Sequence, residues 1–278
     1  MSDETANKQG VLLLGHGTRS LAGKRQFLDL CQHFSSLLSS TPVEPAFLEL
    51  QHPTIADGLG QLLDRGVRRL RVVPLLLFAA GHVKEDIPAA IRAGVRSLGF
   101  VAVTSIELTQ ADPFGCHPAL VELSRRRFEQ AIAGKAQISG NDCCLIFVGR
   151  GSNDANATAE MHEFARMRQQ SHDGLQIRVA FLAMAQPLLA SELQKVAACS
   201  FRRVIVQPHL LFHGELVAAV EEQVGAIKSR GNGQEWIVTS SLADPGGEIG
   251  CGTELLTNVM WERYQQGAIH VVVTDTRS

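Results

Sequence analysis

Four consecutive aliphatic residues, Val11-Leu12-Leu13-Leu14, stop at Gly15-His16-Gly17-Thr18. An apolar run of this length, bounded by a polar leader and a Gly-rich turn, predicts a strand buried on both faces whose carboxyl end opens into a helix. Runs of the same kind recur over Val43–Leu50, Leu70–Phe78 and Val101–Glu107. Between them lie segments with helical spacing, Leu21–Leu38, Pro53–Arg65, Val83–Leu98 and His117–Ile132. Pro53 and Pro118 fall in the first turns of their predicted helices, where a missing N–H costs little. The alternation predicts an α/β fold: a parallel sheet of about four strands with right-handed crossovers, flanked by helices.

A small, polar, Gly-containing segment over 133–142 predicts a linker, and after it the same programme restarts. Cys143–Gly149 is a second buried strand, ending in Gly149-Arg150-Gly151-Ser152 where the first ends in Gly15-His16-Gly17-Thr18. At the same offset of 134, Ala46-Phe47-Leu48 faces Ala180-Phe181-Leu182 and Pro53 faces Pro187. Pro74-Leu75-Leu76-Leu77-Phe78 likewise faces Pro208-His209-Leu210-Leu211-Phe212, and Ala111-Asp112-Pro113 answers Ala243-Asp244-Pro245 at an offset of 132. So many matches in register indicate an internal duplication, with one lobe over 1–134 and another over 143–278. A last apolar run, Ala268–Val273, fits either an added strand or a docking arm.

Composition narrows the class without naming a chemistry. With 45% hydrophobic and 19% charged residues, the chain can bury a substantial core, which excludes disorder. A net charge of −2 gives no global reason to expect nucleic acid or an anionic membrane as partner. The opening decapeptide lacks the basic and apolar regions of a secretory signal, and no stretch approaches the roughly 18 apolar residues that span a bilayer, so a cytoplasmic location is expected. The cysteines Cys31, Cys116, Cys143, Cys144, Cys199 and Cys251 form no C-x-x-C pair and are expected to be reduced and structural.

Candidate chemistry concentrates at the predicted carboxyl ends of the first lobe's strands. His16 follows the first strand, Glu49 ends the second and His82 follows the third, at equal intervals of 33 residues. Successive βα units would bring all three to one sheet edge, where two imidazoles and a carboxylate suit a divalent first-row metal held loosely. A dinucleotide fingerprint at Gly15-His16-Gly17 is the weaker reading, because Ser20 stands where its third glycine belongs. His33, His52, His117, His162 and His172 lack such company and read as surface or capping residues. In the second lobe Arg150 replaces His16, Ala183 replaces Glu49 and Glu215 falls where His82 would, which predicts a non-catalytic lobe. His209 and His213 are nearby but are expected on alternate sides of a strand end, unable to share a metal.

The motifs Leu14-Gly15-His16-Gly17-Thr18-Arg19, Phe47-Leu48-Glu49 with Pro53, Val73–His82 with Asp86-Ile87-Pro88, and Asp112-Pro113-Phe114-Gly115 resemble those of the CbiX/SirB sirohydrochlorin chelatases. This resemblance implies two duplicated chelatase-like lobes and a lyase that inserts Co²⁺ or Fe²⁺ into sirohydrochlorin without ATP or any nucleotide, toward cobalamin or sirohaem. By position, His16 and His82 would bind metal and accept protons while Glu49 assists metal binding. The implied partner is a sirohydrochlorin-type tetrapyrrole lying between the lobes of a monomer, an intramolecular counterpart of dimeric short relatives. Because that substrate carries many carboxylates, Arg19, Lys24, Arg25 and Lys84 beside the motif loops, together with Arg150, are candidate substrate-binding groups. The alternative is a non-catalytic tetrapyrrole or metal-ion carrier.

Overall fold

A computed structural model of the chain describes residues 8–79, 83–98, 106–171, 174–231, 233–246, 251–266 and 269–273. The first half runs β1 (Lys8–Gly15), α1 (Leu21–Ser36), β2 (Val43–Phe47), α2 (Ile55–Asp64), β3 (Val67–Pro74), α3 (Val83–Ser97), β4 (Ile106–Gln110) and α4 (Pro118–Ile132). A short 3-10 turn, Gly140–Asp142, closes the predicted linker. The second half repeats the order with β5 (Cys143–Gly149), α5 (Ala155–Gln169), β6 (Gln176–Phe181), α6 (Leu189–Ala197), β7 (Arg203–Pro208), α7 (Glu215–Lys228), β8 (Glu235–Val238) and α8 (Cys251–Gln265). A final strand, β9, spans Ile269–Val273.

One sheet has the order β2-β1-β3-β4-β9 and the other β6-β5-β7-β8. All pairs are parallel except β4 with β9, so the terminal run that the sequence left open is an added antiparallel strand. β1 lies between β2 and β3, which explains its continuous apolar run: Leu12 and Leu14 face α2 and α3 in one cluster with Leu59, Leu62, Ile87 and Ile91. Each such leucine, withdrawn wholly from water, contributes about 1.5–3 kcal/mol. β5 holds the matching place, and Cys144 within it is buried with its thiol pushed up to about 12 by desolvation, an inert apolar filler. The described cysteines whose side chains are resolved are all free thiols, as expected.

Several predicted boundaries shift. β2 ends at Phe47 rather than Leu50, and β3 ends at Pro74 rather than Phe78, because the chain beyond each leaves the ladder to build the sheet's carboxyl edge. α2 starts after Thr54, not at Pro53: Thr54 Oγ1 accepts from the Asp57 amide, and the Asp57 carboxylate accepts in return from the Thr54 amide, a closed capping box. The strand expected over Val101–Glu107 forms over Ile106–Gln110, with 99–105 outside the described residues.

The compact units do not follow the halves of the repeat. One comprises Met1–Gly115 with Thr257–Ser278, and the other Cys116–Leu256. The last helix of each half thus belongs largely to the other half's unit, and in each case an arginine fastens it. In the first unit Arg263 of α8 donates to the carbonyls of Pro113 (2.8 Å) and Phe114 (2.7 Å), while Arg71 of β3 donates to the Arg263 carbonyl (2.9 Å) and to that of Gln266. In the second, Arg127 of α4 donates to the carbonyls of Leu242 (2.8 Å), Gly246 (2.9 Å) and Asp244. Among the described residues no helix is long and apolar enough to cross a membrane.

Candidate functional site

From β1 the chain goes to β2 on one side and then crosses to β3 on the other. The carboxyl edge between β1 and β3 is therefore a topological switch point, where diverging connections leave a crevice for ligands. His16 is the first residue past β1 at that point. Beyond β2, the Leu48 amide donates to the Gly15 carbonyl (2.9 Å) and the Glu49 amide to the His16 carbonyl (3.1 Å), carrying Glu49 alongside His16. Their side chains meet: His16 Nδ1 lies 3.2 Å from Glu49 Oε1, with both groups about half exposed.

The neighbouring turns hold this pair closely. Gly17 has φ +110°, and a Cβ there would stand 2.0 Å from the Glu49 carbonyl oxygen, so only glycine lets the two loops approach. Gln51 Nε2 donates to the Thr18 carbonyl (2.8 Å), a second tie between the loops. Leu50 adopts φ 66° in a tight turn closed by the Gln51 amide on the Glu49 carbonyl (2.8 Å). A non-glycine residue held in the left-handed region costs on the order of 1–3 kcal/mol, so the surrounding ties must enforce it.

The other predicted residues distribute unevenly. His82 lies outside the described residues, immediately before α3 in sequence, and of the predicted triad the structure brings together His16 and Glu49. Among the described residues no cluster of three or more His, Cys, Asp or Glu side chains is poised to hold a metal. Arg19 is exposed on the turn after His16, and Lys24 and Arg25 lie in the first turns of α1. Lys84 belongs to the first turn of α3, its side chain outside the described residues. Two of the histidines read as bystanders have structural partners: His117 Nδ1 accepts the Ala119 amide as the cap of α4, and His52 Nδ1 sits 2.9 Å from Asp57 Oδ2.

The second half keeps the scaffold and changes the chemistry. Gly151 has φ +92° with its would-be Cβ 1.7 Å from the Ala183 carbonyl oxygen, the Ala183 amide donates to the Arg150 carbonyl (3.0 Å), and Met184 takes φ 60°. Exposed Arg150 stands where His16 does, and Ala183 where Glu49 does. His209 turns into the core, 3% exposed, its ring 4.1 Å from that of Phe164, and desolvation pushes it down to about 3. Gln51 was not anticipated from sequence; the available signal was its counterpart Ala185, which cannot make the same tie.

The CbiX family model matches this chain twice, over residues 10–131 and 144–245. The chain belongs to the CbiX family. Its two matched stretches are the two halves of the duplication. Among CbiX-type relatives, the sirohydrochlorin ferrochelatase of Priestia megaterium is 28% identical over 87% of this chain and 87% of its own length. The sirohydrochlorin cobaltochelatase of the same organism is 26% identical over 79% of this chain and 70% of its own. The solved structure of SirB from Bacillus subtilis with Fe³⁺ superposes with a TM-score of 0.76 at 24% identity, covering 93% of this chain and 96% of that one, and establishes the shared fold.

Proposed function

We propose that this protein is a sirohydrochlorin chelatase, a lyase inserting Co²⁺ or Fe²⁺ into the tetrapyrrole, with the metal as substrate and no nucleotide involved. The observation that carries the site assignment is the His16–Glu49 pair at the switch point, 3.2 Å apart. Metallation exchanges two ring N–H protons for one divalent ion, so the site needs bases that also let a metal go. Neutral imidazole suits both tasks near neutral pH. With the carboxylate on Nδ1, Nε2 is the nitrogen His16 would offer to the metal or to a ring proton, and Glu49 keeps the ring oriented while adding negative charge that favours the cation.

In this reading His82, which precedes α3 in sequence, supplies the second imidazole, and residues 1–134 carry the reacting groups. Residues 143–278 retain the scaffold without them. Arg19, Lys24, Arg25, Lys84 and Arg150 are the cations that meet the substrate's carboxylates. In this reading the protein works as a cytoplasmic monomer, with both repeated halves supplied by one chain.

Purified protein mixed with sirohydrochlorin and either ion should change the macrocycle's absorption faster than the spontaneous reaction, and side-by-side rates assign cobalt or iron. A double variant, His16→Ala with His82→Ala, that metallated at the wild-type rate would overturn the site assignment. Tight binding with no acceleration for either ion would instead identify a carrier.

A further inference from the structure

Gln51 grips both loops of the His16–Glu49 pair at once. Its amide donates to the Glu49 carbonyl (2.8 Å), closing the turn at Leu50, and its side-chain Nε2 donates to the Thr18 carbonyl (2.8 Å) on the loop that begins with His16. Thr18 is anchored in turn. Its Oγ1 accepts from the Ser20 amide (3.1 Å), and the Ser20 hydroxyl caps α1 by accepting from the Gly23 amide (3.2 Å). The carbonyl that Gln51 holds therefore stands at the capped start of a helix, and the Glu49 turn is tied to that point.

The second half separates what the loops need to close from what accompanies the chemistry. It repeats the close-approach glycine at Gly151 and the left-handed turn residue at Met184. The Ala183 amide again donates to the Arg150 carbonyl (3.0 Å), the Ala185 amide to the Ala183 carbonyl (2.7 Å), and the Asp154 amide to the Ser152 hydroxyl (3.0 Å). Ala185 stands at the Gln51 position, so these loops close with no side-chain tie from it. Where the imidazole and the carboxylate have gone, that tie has gone with them. α2 also has a side-chain cap that α6 lacks, but the cap closes on its own helix and not on the His16 loop.

His16 and Glu49 do not hold each other unaided. Both side chains are about half exposed, and an exposed pair of this kind favours its own contact by no more than about fivefold. The remaining order has to come from the loops. Resting on the chelatase reading above, we propose that Gln51 is a positioning residue of the metal site: its hydrogen bond to the Thr18 carbonyl keeps the Glu49 carboxylate on His16 Nδ1. The proton of the neutral ring then stays on Nδ1, and Nε2 is left with a free lone pair before any metal arrives. One net hydrogen bond of this type biases the closed arrangement by about 2–10-fold, comparable to the contact it supports. Gln51 touches neither ion nor macrocycle in this role and acts only through the pair.

The test uses the full-length wild type, Gln51→Ala, and Gln51→Met, which keeps the length of the side chain without its donor, each with and without Glu49→Gln. Nitrogen NMR of the metal-free proteins reads the His16 tautomer, with the His16 signals identified by their loss in His16→Ala. Melting temperature and the kcat and KM of metallation are measured alongside. In the wild type the His16 proton should sit on Nδ1, and in both Gln51 variants the ratio should move toward Nε2–H by about 2–10-fold. Their kcat should fall by the same factor, with KM for sirohydrochlorin and melting temperature unchanged. On the Glu49→Gln background neither substitution should cost anything further, because the group it positions is already gone. If the wild type metallates while the Gln51 variants keep either its tautomer ratio or its kcat, the proposal falls and the chelatase reading stands. Losses of equal size on the Glu49→Gln background, or a melting temperature that drops in step with kcat, would make Gln51 a general tie of the fold and overturn the proposal as well. A wild type that accelerates metallation with neither ion overturns the chelatase reading, and the tautomer ratios alone then decide for or against Gln51.

Discussion

His16 Nδ1 and Glu49 Oε1 are 3.2 Å apart although 33 positions separate them in sequence. The pairing is made by backbone: the Glu49 amide on the His16 carbonyl fixes the main chains, and the side chains then have little freedom to miss one another. A carboxylate on the far nitrogen of a metal-binding imidazole sets its tautomer and direction, and its removal typically costs 10–100-fold in affinity or activity. Glu49→Gln should therefore lower kcat/KM for metallation by about 10–100-fold. His16→Ala should lower it at least as far, and the double variant should be no worse than His16→Ala alone, because the two act as a unit. Initial rates of the four proteins decide this; fully additive losses would show that the groups act separately.

Gly17 and Gly151 make a second, purely steric prediction. An added methyl would overlap a carbonyl oxygen at 2.0 Å in one half and 1.7 Å in the other, and both residues have φ near +100°. The obstacle is main chain, which cannot swing aside as a side-chain tip does. Gly17→Ala and Gly151→Ala should each destabilise their unit by about 1–3 kcal/mol, read as a lower midpoint in chemical denaturation. Gly17→Ala should also separate Glu49 from His16 and reduce metallation. A melting profile unchanged in both variants would mean that the loops part without cost.

Much of this architecture is written in local pattern. The four aliphatics of β1 could only belong to a strand covered on both faces, and the offset of 134 shows up in the structure as matched left-handed residues, Leu50 with Met184. Equal spacing of the βα units predicted His16 and Glu49 at one sheet edge, and the structure adds the contact between their side chains. What local pattern does not carry is partner choice at long range. The helical periodicity of α4 and α8 says which face is apolar but not which sheet it covers, so the exchange of last helices between compact units was not readable. His209 shows the same limit: the sequence could say that it and His213 do not share a metal, but only its packing against Phe147 and Phe164 shows it to be core. The end of β2 shifted because its last predicted residues serve the site's turn instead of the ladder.

The exchanged helices predict a specific fragility at Arg127. The residue is 3% exposed and its guanidinium serves three carbonyls of the segment 242–246, with burial lowering its pKa against a smaller opposing effect of Asp244. Arg127→Met leaves those acceptors without their charged donor, and the penalty for each buried unsatisfied group is about 1–3 kcal/mol. A net loss of about 2–4 kcal/mol is expected in denaturant titration, after partial relaxation. Arg127→Lys should recover little of it, since an ammonium cannot span three acceptors arranged for a planar fork. Full recovery by lysine would reduce the contact to simple charge.

His209 makes the last prediction, through pH. In the folded chain desolvation pushes its imidazole down to about 3, whereas a histidine in the unfolded chain titrates near 6.5. Between those values the unfolded state takes up a proton that the folded state refuses. The folded pKa is the lower of the two, so stability is complete above about 6.5 and declines as pH falls, by about 1.4 kcal/mol per unit, until the folded form also titrates. At pH 5 the deficit from this one residue is about 2 kcal/mol. Carboxylates such as Glu122, held down to about 2 chiefly by its hydrogen bond from Arg125, lose their stabilisation as pH falls from the ordinary carboxylate value toward about 2, so they leave the window from 6.5 to 5 largely clear. His209→Met, an apolar side chain able to adapt to the space beside Phe164, should remove about one proton from the acid dependence. Unfolding free energies measured from pH 7 to pH 5 should then diverge, the wild type falling by about 2 kcal/mol more than the variant. Parallel curves across that range would show that the imidazole reaches solvent or a proton acceptor before the fold gives way, and that the core around Phe147 and Phe164 opens locally.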